Sequence, residues 1–160
     1  MTVITSMTKR REKMEHLIDS IISKYMDEFY FPSAVCKIFS VEKNYYHKAF
    51  GNVNADTMYD VASLSKIITT TEILMLINDG KINLEGEISG YLPIINGFGV
   101  LNERLEGVTV EQLLTHNSGL IDWYPIYAEE GNIFEIMNKV VGRYEKFKGT
   151  LYSDLNFMLL

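Results

Sequence analysis

Tyr59-Asp60-Val61-Ala62-Ser63-Leu64-Ser65-Lys66 runs straight into Ile67-Ile68-Thr69-Thr70-Thr71-Glu72-Ile73-Leu74-Met75-Leu76-Ile77-Asn78, and this junction decides how the chain is read. Leu64, Ile67, Ile68, Thr71, Leu74, Met75 and Asn78 recur at helical spacing, which predicts a helix over 62–78 with these residues on one side. Asp79-Gly80 supplies its stop, because glycine takes the left-handed cap conformation without a Cβ clash. On such a helix Ser63 and Lys66 lie three residues apart on one face, so hydroxyl and amine are neighbours. That is the arrangement a nucleophile and its proton-transfer partner need. The serine sits in the first turn, where the helix dipole favours developing negative charge. Lys66 can act as a base only when neutral, which requires its pKa to fall below the usual value of about 10.4.

Two other S-x-x-K matches, Ser6–Lys9 and Ser40–Lys43, lack this setting. The first lies at the N-terminus and the second in a predicted strand and turn. Upstream, Met14, Leu17, Ile18, Ile21, Ile22, Tyr25 and Met26 mark an amphipathic helix over 9–26. Alternation over 33–40 predicts a strand, Glu42-Lys43-Asn44 a turn, and the aromatic-rich 45–50 a returning strand, so a hairpin is expected. Residues 52–60 read as polar loop. Downstream, 81–107 reads as mostly loop with short helical turns. Thr109 with Gln112 forms a capping box for a short helix through His116. Asn117-Ser118-Gly119 ends it, a further helix follows over 133–140, and 150–152 is a short extended piece.

Composition narrows the function classes. The 160 residues carry 15 Lys+Arg against 21 Asp+Glu, a net charge of −6, so no basic surplus marks nucleic acid as a partner. No apolar stretch is long enough to span a bilayer. Cys36 is the single cysteine, which excludes an intramolecular disulfide framework or a multi-cysteine zinc site. His16, His47 and His116 fall in different elements, so no metal or other cofactor is expected. HExxH, P-loop and G-x-S-x-G patterns are absent. The N-terminal basic cluster is not followed by an apolar segment. The protein is therefore expected to be cytoplasmic if this N-terminus is native, and extracytoplasmic if a signal sequence was removed.

Four segments, in order, carry a family resemblance. Residues 59–66 resemble the nucleophile region of the serine β-lactamase and penicillin-binding protein superfamily, in its class C β-lactamase, D-alanyl-D-alanine carboxypeptidase and esterase branch. Asn78-Asp79-Gly80-Lys81-Ile82-Asn83-Leu84 resembles the G-K-x-x-L stretch after the nucleophile helix. Val108-Thr109-Val110-Glu111-Gln112-Leu113-Leu114-Thr115-His116-Asn117-Ser118-Gly119-Leu120 is similar to the branch's T-x-x-x-L-L-x-H-x-S-G-L signature. Gly149-Thr150-Leu151-Tyr152-Ser153-Asp154 resembles G-x-x-x-Y-S-N. The resemblance covers 32–160 and implies an α+β fold of the β-lactamase/transpeptidase type. It implies Ser63 as acyl-accepting nucleophile, Lys66 as its partner in proton transfer, and Tyr152 as a candidate general base. His116, Ser118 and Gly119 are read as structural. Position 154 is assigned to substrate binding, but Asp154 stands where the pattern has Asn. An ionised carboxylate only accepts hydrogen bonds, and it can also pair with Lys66.

The family's third element, K-T-G or H-x-G, is absent from these residues. The resemblance places it on a later sheet strand that supplies half of the oxyanion hole. The chain is accordingly expected to be the N-terminal part of one module, with 1–62 holding the helix and first strands, and 63–160 the nucleophile helix and helical region. The C-terminal sheet strands would be lacking, leaving an exposed hairpin edge able to support a homo-oligomer. The implied function is a serine hydrolase or acyltransferase acting on a small β-lactam, D-Ala peptide or ester through an acyl-Ser63 intermediate. The alternative is a truncated, inactive pseudoenzyme or binding module.

Overall fold

The computed structural model describes residues 2–160, with side chains from residue 9 onward, so Ser6 of the first S-x-x-K match lies outside the described side chains. The chain divides into two compact units, Met1–Asp60 and Val61–Leu160.

In the first unit, helix α1 (Thr2–Asp27) is followed by strands β1 (Ala34–Phe39) and β2 (Asn44–Phe50), paired antiparallel. The turn closes through Ser40 N–H donating to the Lys43 carbonyl at 2.8 Å, and a register irregularity at Ile38/Phe39 absorbs the mismatch. The 40–43 match thus sits in a hairpin turn, where no helix brings hydroxyl and amine together. Helix α1 packs on β2, but only part of its predicted stripe is covered. Met14, Ile18, Ile22 and Met26 are half-buried, whereas Leu17, Ile21 and Tyr25 remain exposed. A polar clasp fixes the packing: Asp19 accepts from the Tyr46 hydroxyl and from Lys48 Nζ at 2.8 Å. Tyr46 is buried, and burial together with the Asp19 carboxylate pushes its phenol well above the ordinary tyrosine range.

The second unit is helical. A 3₁₀ turn (Ala62–Leu64) leads into α2 (Ser65–Asn78), followed by α3 (Ile88–Tyr91), α4 (Gly99–Leu105), α5 (Val110–Leu114), α6 (Ile133–Val141) and α7 (Asp154–Leu159). The capping box is present: the Gln112 N–H donates to Thr109 Oγ1 at 3.2 Å, and the Thr109 N–H donates to Gln112 Oε1 at 2.9 Å. Helix α6 presents Ile136, Met137, Val140 and Val141 to a core that includes Leu101 and Leu105 of α4, Leu113 of α5, and Leu155 and Leu159 of α7. Burial of these side chains is the main stabilising term, at roughly 25 cal/mol per Å² of apolar surface removed from water. The Asn138 carboxamide accepts from the Leu101 N–H at 2.9 Å, tying α4 to α6.

One expectation needs correction. Residues 81–107 hold more helix than the short turns expected in a mostly loop segment, because the elements around Pro93 gain their stability from the core rather than from local propensity. On α2, Leu64, Ile67, Ile68, Leu74 and Met75 share one side as expected, and that side faces solvent. The inward face is Lys66, Thr69, Thr70, Ile73, Leu76 and Ile77, with Ile73 buried. A helix apolar nearly all round carries two candidate stripes, and periodicity cannot choose between them.

Candidate active site

The inward face of α2 carries Lys66 into the site. The turn before it places Ser63, whose hydroxyl oxygen lies 3.2 Å from Lys66 Nζ. Ala62, immediately before Ser63, has φ +42°, a left-handed conformation that costs a residue with a Cβ about 1–3 kcal/mol. The Ser65 hydroxyl bridges this bend by donating to the Ala62 carbonyl at 2.7 Å. The two serines of the motif are thereby distinguished. Ser65 closes the turn, while the Ser63 hydroxyl faces the amine.

The opposite wall comes from residues 152–157, which are 86 to 91 positions away in sequence from Lys66. Asp154 Oδ1 accepts from Lys66 Nζ at 2.5 Å, with the Lys66 side chain 15% exposed and Asp154 31%. The ammonium also lies 5.1 Å from the Tyr152 ring centroid and 5.5 Å from that of Phe157, within the range of cation–π attraction. Burial pulls the Lys66 pKa down, but donation to Asp154 and to Tyr152 outweighs it and leaves the value above that of a free lysine. The depression that a neutral, basic Lys66 requires is therefore not found. Ala62, Ser63, Ser65, Lys66, Thr69, Asp154, Phe157 and Met158 line an open concavity around the hydroxyl. Tyr152 is half-exposed beside it.

A lattice of hydrogen bonds, buried around Ser118 and Asn156, holds this wall in place. His116 stands at the end of α5 with φ +60°, and its carbonyl accepts from the Leu151 N–H at 2.9 Å. Its Nδ1 accepts from the Ser153 N–H at 2.9 Å, and its ring packs 4.3 Å from that of Tyr152, centroid to centroid. Burial and the neighbouring Lys66 charge push the His116 pKa below its usual value, against the opposing pull of Asp154. Accepting a backbone N–H through Nδ1 places the ring proton on Nε2. Ser118 donates to Asn156 Oδ1 at 2.6 Å and accepts from the Leu120 N–H at 3.1 Å. The Ser153 hydroxyl donates to the Ile121 carbonyl at 2.5 Å, and the Asp154 N–H to the Asp122 carbonyl at 2.8 Å. The Thr150 hydroxyl donates to Asn117 Oδ1 at 2.6 Å.

Gly119 has φ +81°, and a Cβ there would meet the Phe147 carbonyl oxygen at 2.9 Å, so the turn demands glycine. The segment 116–122 thus acts as a template for 147–156. Asn156 and Phe157 were missed in the sequence reading. The available signal was an asparagine inside the apolar run Leu155-Asn156-Phe157-Met158-Leu159-Leu160. Among the described residues, no group of three or more His, Cys, Asp or Glu is placed to hold a metal ion, and no helix is long and apolar enough to cross a membrane.

Ser63, Lys66 and Asp154 thus cluster at the start of α2, with the Tyr152 ring against the Lys66 ammonium. The Beta-lactamase family model matches residues 18–160, and the chain belongs to that family. Among curated relatives it is 28% identical over 134 residues to Penicillin-binding protein 4* of Bacillus subtilis, covering 72% of this chain and 28% of that one. It is 29% identical over 158 residues to Protein flp of Staphylococcus aureus strain NCTC 8325, covering 89% of this chain and 31% of that one. The chain thus spans about three-tenths of the length of these relatives. A class C β-lactamase crystal structure superposes with a TM-score of 0.74 at 22% identity, covering 93% of this chain and 43% of that one. A putative β-lactamase from Bacteroides dorei gives 0.70 at 22%, covering 90% and 43%.

Proposed function

We propose that the chain carries the nucleophile side of a serine acyl-transfer site acting on β-lactams, D-alanyl peptides or esters. Ser63 Oγ attacks the acyl carbonyl, forming the Oγ–C bond. The bond from that carbon to the leaving nitrogen or oxygen breaks, and the serine proton passes to the leaving group through the polar groups beside it. Water then hydrolyses the acyl-Ser63 ester, or an amine takes the acyl group. The observation that carries this reading is the 3.2 Å approach of Ser63 Oγ to Lys66 Nζ in a cluster shared with Tyr152 and Asp154. Asp154, at the rim of the concavity, would contact the acyl side chain of the substrate. Family membership and the resemblance of the chain to a penicillin-binding protein support the substrate class.

The test is incubation with a reporter penicillin followed by intact-mass and peptide mass spectrometry. The expected result is a single adduct on Ser63, absent in Ser63→Ala. No adduct at high penicillin concentration overturns the reading for this chain. A binding role without turnover is the second reading. It is favoured by the position of Lys66, which donates to Asp154 at 2.5 Å and whose pKa is held above the free-lysine value, so the amine beside Ser63 is not poised as a base. A reversible penicillin-dependent thermal shift retained in Ser63→Ala, with no adduct in either protein, would support it.

A further inference from the structure

Resting on that reading, we propose that Asp154 is a positioning residue that holds Lys66 as a fixed cationic hydrogen-bond donor to Ser63 rather than as the acceptor of the Ser63 proton. The geometry carries the assignment. Lys66 Nζ lies between two oxygens, Asp154 Oδ1 at 2.5 Å and Ser63 Oγ at 3.2 Å, with most of its stem withdrawn from water. The carboxylate is the closer partner and, among the described residues, the anion that pairs with the amine. The others are the Tyr152 phenol, the Phe157 ring and the imidazole of His116. The two rings favour the charged amine as well, because their faces attract cations. A neutral amine would forfeit the ion pair and both ring contacts.

His116 does not compete for this role. Its Nδ1 is committed to the Ser153 N–H and its pKa is lowered, which suits a neutral imidazole next to an ammonium. With Lys66 committed as a donor to Asp154 and Ser63, it is not the group that takes the Ser63 proton. An asparagine at 154 could still accept from Lys66 but would bring no charge, so the amine would become easier to deprotonate. An opposite charge this close typically moves a pKa by about 1–3 units. The aspartate of this chain therefore decides whether Lys66 can take the Ser63 proton.

Competitive labelling of the whole chain with acetic anhydride, read at Lys66 by peptide mass spectrometry across pH, reports the free-amine fraction without requiring catalysis. The expected result is a Lys66 midpoint that falls by about 1 pH unit or more in Asp154→Asn, with labelling of exposed Lys139 used to normalise the reagent. In Asp154→Glu, which keeps the charge, the midpoint should stay near the parent value. A Lys66 midpoint in Asp154→Asn within about 0.3 unit of the parent overturns the proposal, since one unit corresponds to a tenfold change in equilibrium.

Penicillin acylation of Ser63 supplies the second readout. The Asp154→Asn profile should gain an inflection at the lowered Lys66 midpoint that the parent lacks. Identical profiles, with a midpoint that has moved, also overturn the proposal. Absence of a Ser63 adduct in all three proteins overturns the acyl-transfer reading and with it the catalytic use of the cation. The labelling midpoint alone still decides whether Asp154 sets the charge of Lys66.

Discussion

Ser118→Ala is the sharpest test of the idea that the turn after α5 templates the site wall. Ser118 is 2% exposed, Leu120 4% and Asn156 fully buried. The Ser118 hydroxyl is the acceptor for the Leu120 N–H and the donor to Asn156 Oδ1. Alanine removes almost no volume, so the cavity contribution is small. It leaves one buried donor and one buried acceptor without these partners, each worth about 1–3 kcal/mol. With partial relaxation, a loss of about 2–4 kcal/mol is expected for the second unit. At a urea dependence of about 2 kcal/mol per molar, the midpoint should fall by about 1–2 M.

Trp123, the single tryptophan, lies three residues beyond Leu120 and reports this unit by fluorescence. The same variant should accelerate hydrogen exchange at the Leu120 amide, and should slow penicillin acylation because Asn156 follows Asp154 on α7. A midpoint shift below about 0.3 M, with unchanged Leu120 exchange, would show that the Ser118 bonds are replaced by water and that the template argument is wrong.

Two further outcomes follow from the same lattice. The folded-state pKa of His116 is depressed by burial and by Lys66, so the unfolded chain binds more protons as pH falls through about 6.5. Stability contributed by neutral His116 is thus complete above that pH and is lost toward the lowered folded value. His116→Asn, which tolerates the left-handed backbone, should flatten the loss of Tm between pH 7 and 5.5 relative to the parent, while lowering Tm at pH 7. Gly119→Ala forces a Cβ against the Phe147 carbonyl at positive φ and should cost about 1–3 kcal/mol in the same Trp123-detected denaturation; a neutral result would mean the turn adopts another conformation.

Family membership was legible in the sequence because short, ordered motifs carry chemistry that few other arrangements satisfy. The capping box at Thr109 and Gln112 appears in the structure as read, and the hairpin turn read at 42–44 closes over 40–43 with Asn44 already in β2; both depend on neighbours within a few residues. The helical character of 62–78 was equally readable, but its orientation was not. With Ile, Leu, Met and Thr distributed around α2, only the packing of the second unit decides that Ile73 and Lys66 turn inward and Ile67 and Met75 outward.

By itself, the sequence determined that Ser63 and Lys66 lie one turn apart, that Tyr152 and Asp154 belong with them by family resemblance, and that no cysteine framework exists. Tertiary structure decided the rest. It separated Ser63 from Ser65 by the bend at Ala62, and it brought Asp154 to Lys66 across 88 residues. It also set the direction in which the Lys66 pKa moves, because burial and the Asp154 carboxylate pull in opposite directions. Desolvation acts on any buried amine, but the carboxylate that overrides it is delivered only when the turn at 116–119 holds residues 150–156 against the nucleophile helix.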